Sequence, residues 1–286
     1  MNHPKNLRQA LNKLDYLPAI PSNAQKILSL KITTSEGERA LLELIEKDPP
    51  ILSKIIGLSN SPLFGTGRHV LTLHDAAALL GTKRIKMIAL SFAMMSSIKS
   101  ESVGLLNIDG LWKHSLSVAL TMDTLAQFMP DNRRPSDEEI YLAGLLHDIG
   151  FLVLDYLDAP LSDQLHARME AEPGRQIEEI EAEMLEMNHS ELGAELGRHW
   201  YLPDPIIAVL RYHHSPNDEH AVVGQPLVHM ASLAEKLLPA FGIAESVQVD
   251  NITAKEWNAL GIDPLKADEI ASKILRHTSE VAAMGI

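Results

Sequence analysis

The stretch Gly144-Leu145-Leu146-His147-Asp148-Ile149-Gly150 decides how this chain is read. An apolar run ends on an imidazole and a carboxylate, and a glycine follows two residues later. Upstream, Ser136-Asp137-Glu138-Glu139 has the form of a capping box, and the helix it opens buries Ile140, Leu142, Ala143 and Leu146. His147 and Asp148 then fall in the last turn. An imidazole suits the negative end of a helix dipole, whereas a carboxylate does not unless positive charge lies nearby. Taken alone, such a pair is satisfied by neighbouring loops. A residue that breaks its local rule nevertheless marks a position to test for function.

Working outward, further histidines recur on other predicted helices. His114 lies in a helix over 111–128. His189 follows Asn188 in a second capping box, Asn188-His189-Ser190-Glu191, which opens a helix through Trp200. His213-His214 closes a helix that starts at Asp204-Pro205. Imidazole nitrogens and a carboxylate on separate helices that converge are the donor set of a hydrolytic metal site. The other histidines come without such company, although His199, beside Trp200, is a marginal addition.

The remaining chain reads as helix throughout. Residues 5–30 predict two helices around the kink Leu17-Pro18-Ala19-Ile20-Pro21, with Ser22 capping the second. A helix spans 35–46, and Asp48-Pro49 starts the next. A loop with Gly65 and Gly67 follows. A helix from Thr72 or Leu73 stops at Gly81, and 82–98 is helical and strongly apolar. Residues 99–110 read as a linker. An acidic helix covers 174–187, another helix 225–241, and two short helices 253–284. No run alternates with period two, so the chain is all-α, with about a dozen helices.

Composition sets outer bounds. The 286 residues are 45% hydrophobic and 22% charged, with no cysteine and a formal charge of −13. Disulfides and cysteine metal or redox sites are excluded, and the acidic balance disfavours nucleic acid. The basic cluster Lys83-Arg84-Ile85-Lys86 reads as a solvated helix face. No signal peptide is evident, and the apolar stretch 87–95 is too short to span a bilayer, which needs ~20 residues. The expected setting is soluble and cytoplasmic, with no membrane contact.

In their order, these pieces resemble the HDOD family, the HD-related output domain branch of the HD superfamily. The resemblance rests on Leu17-Pro18-Ala19-Ile20-Pro21, Asp48-Pro49, Leu58-Ser59-Asn60-Ser61-Pro62 and Ala76 through Gly81 in the first half. In the second it rests on Leu111-Trp112-Lys113-His114-Ser115, the His147-Asp148 stretch, His189 through Ala194, and His213-His214-Ser215-Pro216. It implies a multi-helix HD-like bundle with an added N-terminal helical subdomain: residues 1–100, an HD-like core over 101–241, and an extension over 242–286. Carried over from catalytic relatives, His114, His147, Asp148, His189, His213 and His214 are metal-ligand candidates, with Asp148 as the bridging carboxylate.

The chain also departs from those relatives. Gly110 stands where they have Glu, Phe151 where they have a phosphate-holding Lys, and Ser232 where they have a late Asp. Glu235, about one turn on, is a substitute ligand. No Gly-Tyr-Pro follows His213-His214, so the likeness does not extend to cyclic di-GMP hydrolysis. With the acidic half reduced, the implied cofactor is one divalent ion held mainly by imidazoles: iron, zinc or manganese. The implied role is a non-catalytic output module of bacterial signalling. Its partner would be a regulatory protein such as a response regulator or a cyclic-nucleotide signalling protein, and the chain itself could pair as a homodimer. The alternative is a metal-dependent phosphohydrolase acting on a nucleotide or phosphoester.

Overall fold

The computed structural model describes Leu7 and residues 17–61, 69–98, 104–238 and 252–282. Among these residues there are fifteen α-helices and no strand. The first half holds α1 (Ser22–Ser29), α2 (Ser35–Glu46), α3 (Pro49–Ser59), α4 (Leu73–Leu80) and α5 (Thr82–Ser97). The second holds α6 (Ile108–Phe128), α7 (Asp137–Leu146), α8 (Ile149–Leu157), α9 (Ala159–Ala171), α10 (Ile177–Met184), α11 (His189–His199), α12 (Asp204–Tyr212) and α13 (Leu227–Leu237). The chain closes with α14 (Ala254–Ala259) and α15 (Ala267–Ala282).

Most start signals act as their sequence demands. The Asp48 side chain accepts from the amide of Ile51 at 3.3 Å, and Thr72 from that of Asp75 at 3.1 Å. Both capping boxes form, at Ser136 and at Asn188. Four expectations change. Ser22 is the first helical residue rather than the cap, because Pro21 takes that place and lends no side chain. The linker ends at Asn107, whose side chain caps α6 through the amide of Gly110 at 2.9 Å. Helix α9 was not anticipated, although Asp158 followed by Pro160 is a start signal, and Asp158 accepts from Leu161 at 3.1 Å. Helix α15 is long, at 16 residues. The helix expected before Leu17, apart from Leu7, the loop at Gly65 and Gly67, and the boundaries at 100/101 and 241/242 lie outside the described residues.

Segment α7–α8 is the centre of the fold. By length and composition Asp137–Leu157 could cross a membrane, but 94% of its most apolar window is buried by other helices. Two glycines let neighbours approach this segment closely. A Cβ on Gly144 would stand 2.5 Å from the Cα of Ala119 on α6, and a Cβ on Gly150 would stand 1.8 Å from the carbonyl oxygen of His189 on α11. Helices α6 and α11 therefore reach the His147-Asp148 turn from two sides, backbone against backbone.

The basic cluster is not a solvated face. Lys86 is buried and donates to the carbonyl of Leu30 at the end of α1, at 2.8 Å. Arg84 donates to Asp123 at 3.0 Å, and its guanidinium lies 5.3 Å from the ring centre of Tyr141. Only Lys83 faces solvent. The helical spacing holds, but the packing of α5 against α1, α6 and α7 takes up both cations: Lys86 ties α5 to α1 within the first half, and Arg84 ties the first half to the second. A second tie between the halves is the indole of Trp200, which donates to the carbonyl of Pro18 at 2.8 Å.

Tyr201 ends α11 with φ 55, and the amide of Leu202 reaches back to the carbonyl of Gly197 at 3.0 Å. This is the left-handed closing position that glycine normally fills, yet the tyrosine is 90% exposed. Exchanging it for glycine removes a steric cost of roughly 1 kcal/mol. Tyr201→Gly is therefore expected to unfold at equal or higher temperature than the parent in a calorimetric scan, despite losing a large side chain.

Candidate metal centre

The turn between α7 and α8 presents the first two groups. His147 closes α7, and Asp148, at φ −100 and ψ 14, separates the helices. The sequence places Asp148 at an unfavourable helix end, but it is also the residue before α8, where a carboxylate is electrostatically welcome. It makes no cap bond there. Its carboxylate, 3% exposed as a residue, turns instead toward the imidazoles of other helices.

The two oxygens of Asp148 divide between two groups of donors. Oδ2 lies 3.2 Å from Nε2 of His147 and 3.7 Å from Nε2 of His114. Oδ1 lies 3.5 Å from Nε2 of His189 and 3.5 Å from Nε2 of His213. Glu235 on α13 completes the first group, with Oε1 2.9 Å from His114 Nε2 and 3.0 Å from His147 Nε2. His214 completes the second, its Nε2 3.1 Å from that of His189. Each group, His114–His147–Asp148–Glu235 and Asp148–His189–His213–His214, has its donor atoms within 4.8 Å of one another.

Every residue singled out from the sequence as a ligand is thus brought into one cluster, and Glu235 occupies the place anticipated for a substitute. Ser232 stays outside both groups, as does His199. A centre with one ion was expected; the geometry offers two four-donor groups sharing Asp148.

The donor chemistry fits a cation. His147 Nδ1 donates to the carbonyl of Gly144 at 2.8 Å, and His213 Nδ1 donates to that of Val209 at 2.9 Å. A carbonyl only accepts, so in the neutral rings both Nε2 atoms carry lone pairs aimed at the centre. His147 Nε2 is buried and makes no aligned hydrogen bond, although two carboxylate oxygens lie beside it. In the second group, Nε2 of His189 meets those of His213 and His214 at 3.3 and 3.1 Å. One proton on His189 serves at most one of those contacts, whereas a cation serves all of them.

Electrostatics act on each ring through its own neighbours: His189, like His147, is raised against burial, by Glu181 and Asp148. Burial works against the charged form of His147, but Asp148 and Glu235 overcome it and hold the ring well above its ordinary value. Burial works against Asp148 and Glu235 as anions, and the facing histidines hold both carboxyls well below theirs. His213 is pushed down to about 4 by burial, reinforced by His214 and His147, so its lone pair is available at neutral pH. Cation uptake by the first group would therefore displace a proton from His147.

Two glutamates on α10 escaped the sequence reading. Glu181 is fully buried and accepts from the backbone amide of His189 at 2.8 Å and from its Nδ1 at 2.9 and 2.8 Å. Glu178 lies 2.9 Å from Nδ1 of His214, and that imidazole, working against burial, brings its carboxyl down to about 2. The available signal was their spacing of three in an acidic helix whose Ile177 and Ile180 face inward. Phe151 also gains a structural account: its ring stacks on that of His189 at 4.3 Å, with 13° between planes.

A cavity of about 1120 Å³ opens beside the centre and is lined by Glu178, His214, Ser232 and Glu235. Glu170, Glu172, Arg175 and Lys236 also border it. Arg175 is paired with Glu172 and Glu183 at 2.7 Å each, and Lys236 with Glu256.

Comparison with known proteins agrees with this architecture. The profile of the HDOD domain matches residues 17–216. A solved structure from Marinobacter aquaeolei VT8, named for signal transduction, superposes with a TM-score of 0.76 at 25% identity, covering 98% of this chain and 61% of that one. An HDOD domain protein of unknown function from Geobacter sulfurreducens gives 0.75 at 22% identity, covering 98% and 100%. A protein from Shewanella amazonensis SB2B, named for metal-dependent phosphohydrolase activity, gives 0.60 at 20% identity, covering 97% of each chain, a likeness of fold. An uncharacterized protein of Treponema pallidum (strain Nichols) is 24% identical over 204 residues, which is 71% of this chain and 39% of that protein. This chain thus spans about two fifths of the Treponema protein.

Proposed function

The chain belongs to the HDOD family, and on that premise we propose that it is a metal-holding regulatory module of signal transduction that does not turn over a phosphoester. The observation that carries this reading is the charge of the cavity wall. Four glutamates line it, and its two cations, Arg175 and Lys236, are already ion-paired. Besides metal ions, phosphoryl transfer draws on side-chain cations to clamp the phosphoryl oxygens. Phe151, where catalytic relatives hold a lysine, is committed to the His189 ring.

His114, His147, Glu235 and Oδ2 of Asp148 would hold one divalent cation. His189, His213, His214 and Oδ1 of Asp148 would hold a second. A bound cation supplies Lewis acidity and a fixed positive charge between helices. The residues of the two groups come from α6, the α7–α8 turn, α11, the end of α12, and α13, so two cations together would cross-link five parts of the fold. In this proposal the output is a contact with a regulatory protein in the cytoplasm, such as a response regulator.

A phosphohydrolase is the second reading, and the sharing of Asp148 between two groups favours it, because a bridged pair of cations is a known arrangement for phosphoester hydrolysis. Elemental analysis together with an aryl phosphodiester assay under added manganese or iron separates the two. Bound metal without turnover is the expected result. Metal-dependent turnover that vanishes in Asp148→Asn would reverse the assignment.

A further inference from the structure

The charge of the cluster leaves a question that α10 answers. Among the described residues, Asp148 and Glu235 are the two carboxylates that belong to the donor groups themselves. Two divalent cations bring four positive charges, and a buried site with half of them uncompensated is costly. Two more carboxylates stand one imidazole further out, and both belong to α10. Glu181 accepts from the backbone amide of His189 on Oε1, has both oxygens within hydrogen-bond distance of its Nδ1, and is fully buried. Glu178, one helical turn earlier, faces Nδ1 of His214 at 2.9 Å and borders the cavity.

We infer that Glu178 and Glu181 are positioning residues for the three-histidine group, replacing through two imidazoles the acidic charge that this chain lacks at Gly110 and Ser232. This rests on the proposal that the cluster holds cations. Each glutamate fixes its histidine with the proton on Nδ1 and the lone pair on Nε2, facing the centre. Each also makes that nitrogen a stronger donor, as carboxylates behind metal-bound histidines do. With Asp148 and Glu235 the count reaches four negative charges for two divalent cations. The two groups then differ in kind. The His114 group carries its carboxylate Glu235 in direct contact. The His189 group carries its additional carboxylates behind the rings, on a single short helix that also walls the cavity.

Cobalt(II) titration of the full chain, followed by competition with a chelator and by the visible spectrum of the bound ion, tests this. Glutamine keeps the shape and an acceptor oxygen but removes the charge. Glu181→Gln and Glu178→Gln are each expected to weaken one of two binding steps by roughly 10- to 100-fold and to change the spectrum of that step alone. Glu235→Gln is expected to weaken the other step. Should Glu181→Gln fail to fold, Glu178→Gln, at the cavity edge, carries the test. Variants that bind both ions as the parent does overturn the inference, as do variants that weaken both steps equally. A parent that takes up no cobalt overturns the metal proposal itself, and this inference with it, so the two failures are told apart in the parent.

Discussion

Asp148→Asn is expected to abolish the cation uptake proposed for both donor groups while leaving the helices in place. Asp148 is the one carboxylate common to the two donor groups, with Oδ2 toward His114 and His147 and Oδ1 toward His189 and His213. Asparagine preserves the volume and one acceptor oxygen, but it removes the charge that serves both groups. The loss should exceed the roughly 10- to 100-fold typical of a residue one shell further out. A cation at about 100 times its dissociation constant stabilises the fold by about 2.7 kcal/mol. The parent is therefore expected to melt several degrees higher with metal than after chelation, and Asp148→Asn at the same temperature in both. A variant that keeps its metal-dependent shift would show that Asp148 is not the shared ligand.

The second large effect belongs to Gly150. An alanine there would place its Cβ 1.8 Å from the carbonyl oxygen of His189 and 2.6 Å from its carbonyl carbon. Both are backbone atoms, so no rotamer relieves the clash, and α8 and α11 must separate. Overpacking of this kind costs about 3 kcal/mol or more. The movement also draws His189 away from Asp148. Gly150→Ala is expected to lower the denaturation midpoint markedly and to weaken the three-histidine group more than the Glu235 group. Gly193→Ala is the internal comparison, because its Cβ would come no nearer than 3.3 Å to the facing backbone. Equal losses from the two substitutions would count against this account of the helix crossing.

The fold was largely legible because its signals are local. Capping boxes at Ser136 and Asn188, the Asp48-Pro49 start and the lack of period-two alternation each depend on a few adjacent residues. Helix α9 was lost because its start signal, Asp158 and Pro160, follows α8 almost without a loop. The histidines were legible because five of them, with Asp148, lie at element ends or on a helix in a recognisable order. Glu178 and Glu181 were not, since a glutamate in an acidic helix looks like solvent-facing charge until a partner imidazole is brought to it. Lys86 and Arg84 failed in the same direction: helical spacing gives the face of a helix, but only tertiary packing says whether another helix covers it. Glu235 was visible only by its distance of one turn from Ser232, and its contact with both His114 and His147 is a product of how α13 crosses α6 and α7.

The bond from Trp200 to Pro18 bears on how this architecture can be moved between proteins. The indole N–H is satisfied by a carbonyl 182 positions earlier in the chain. A histidine-bearing piece cut free at residue 101 would leave that donor without its acceptor. It would also expose to water the faces of α6 and α7 that α5 covers. A transplanted piece that keeps this bond therefore has to include Pro18 as well as the histidine-bearing helices. A split version is expected to lose this bond together with the Arg84–Asp123 pair that also joins the two halves, and so to be less stable than the continuous chain.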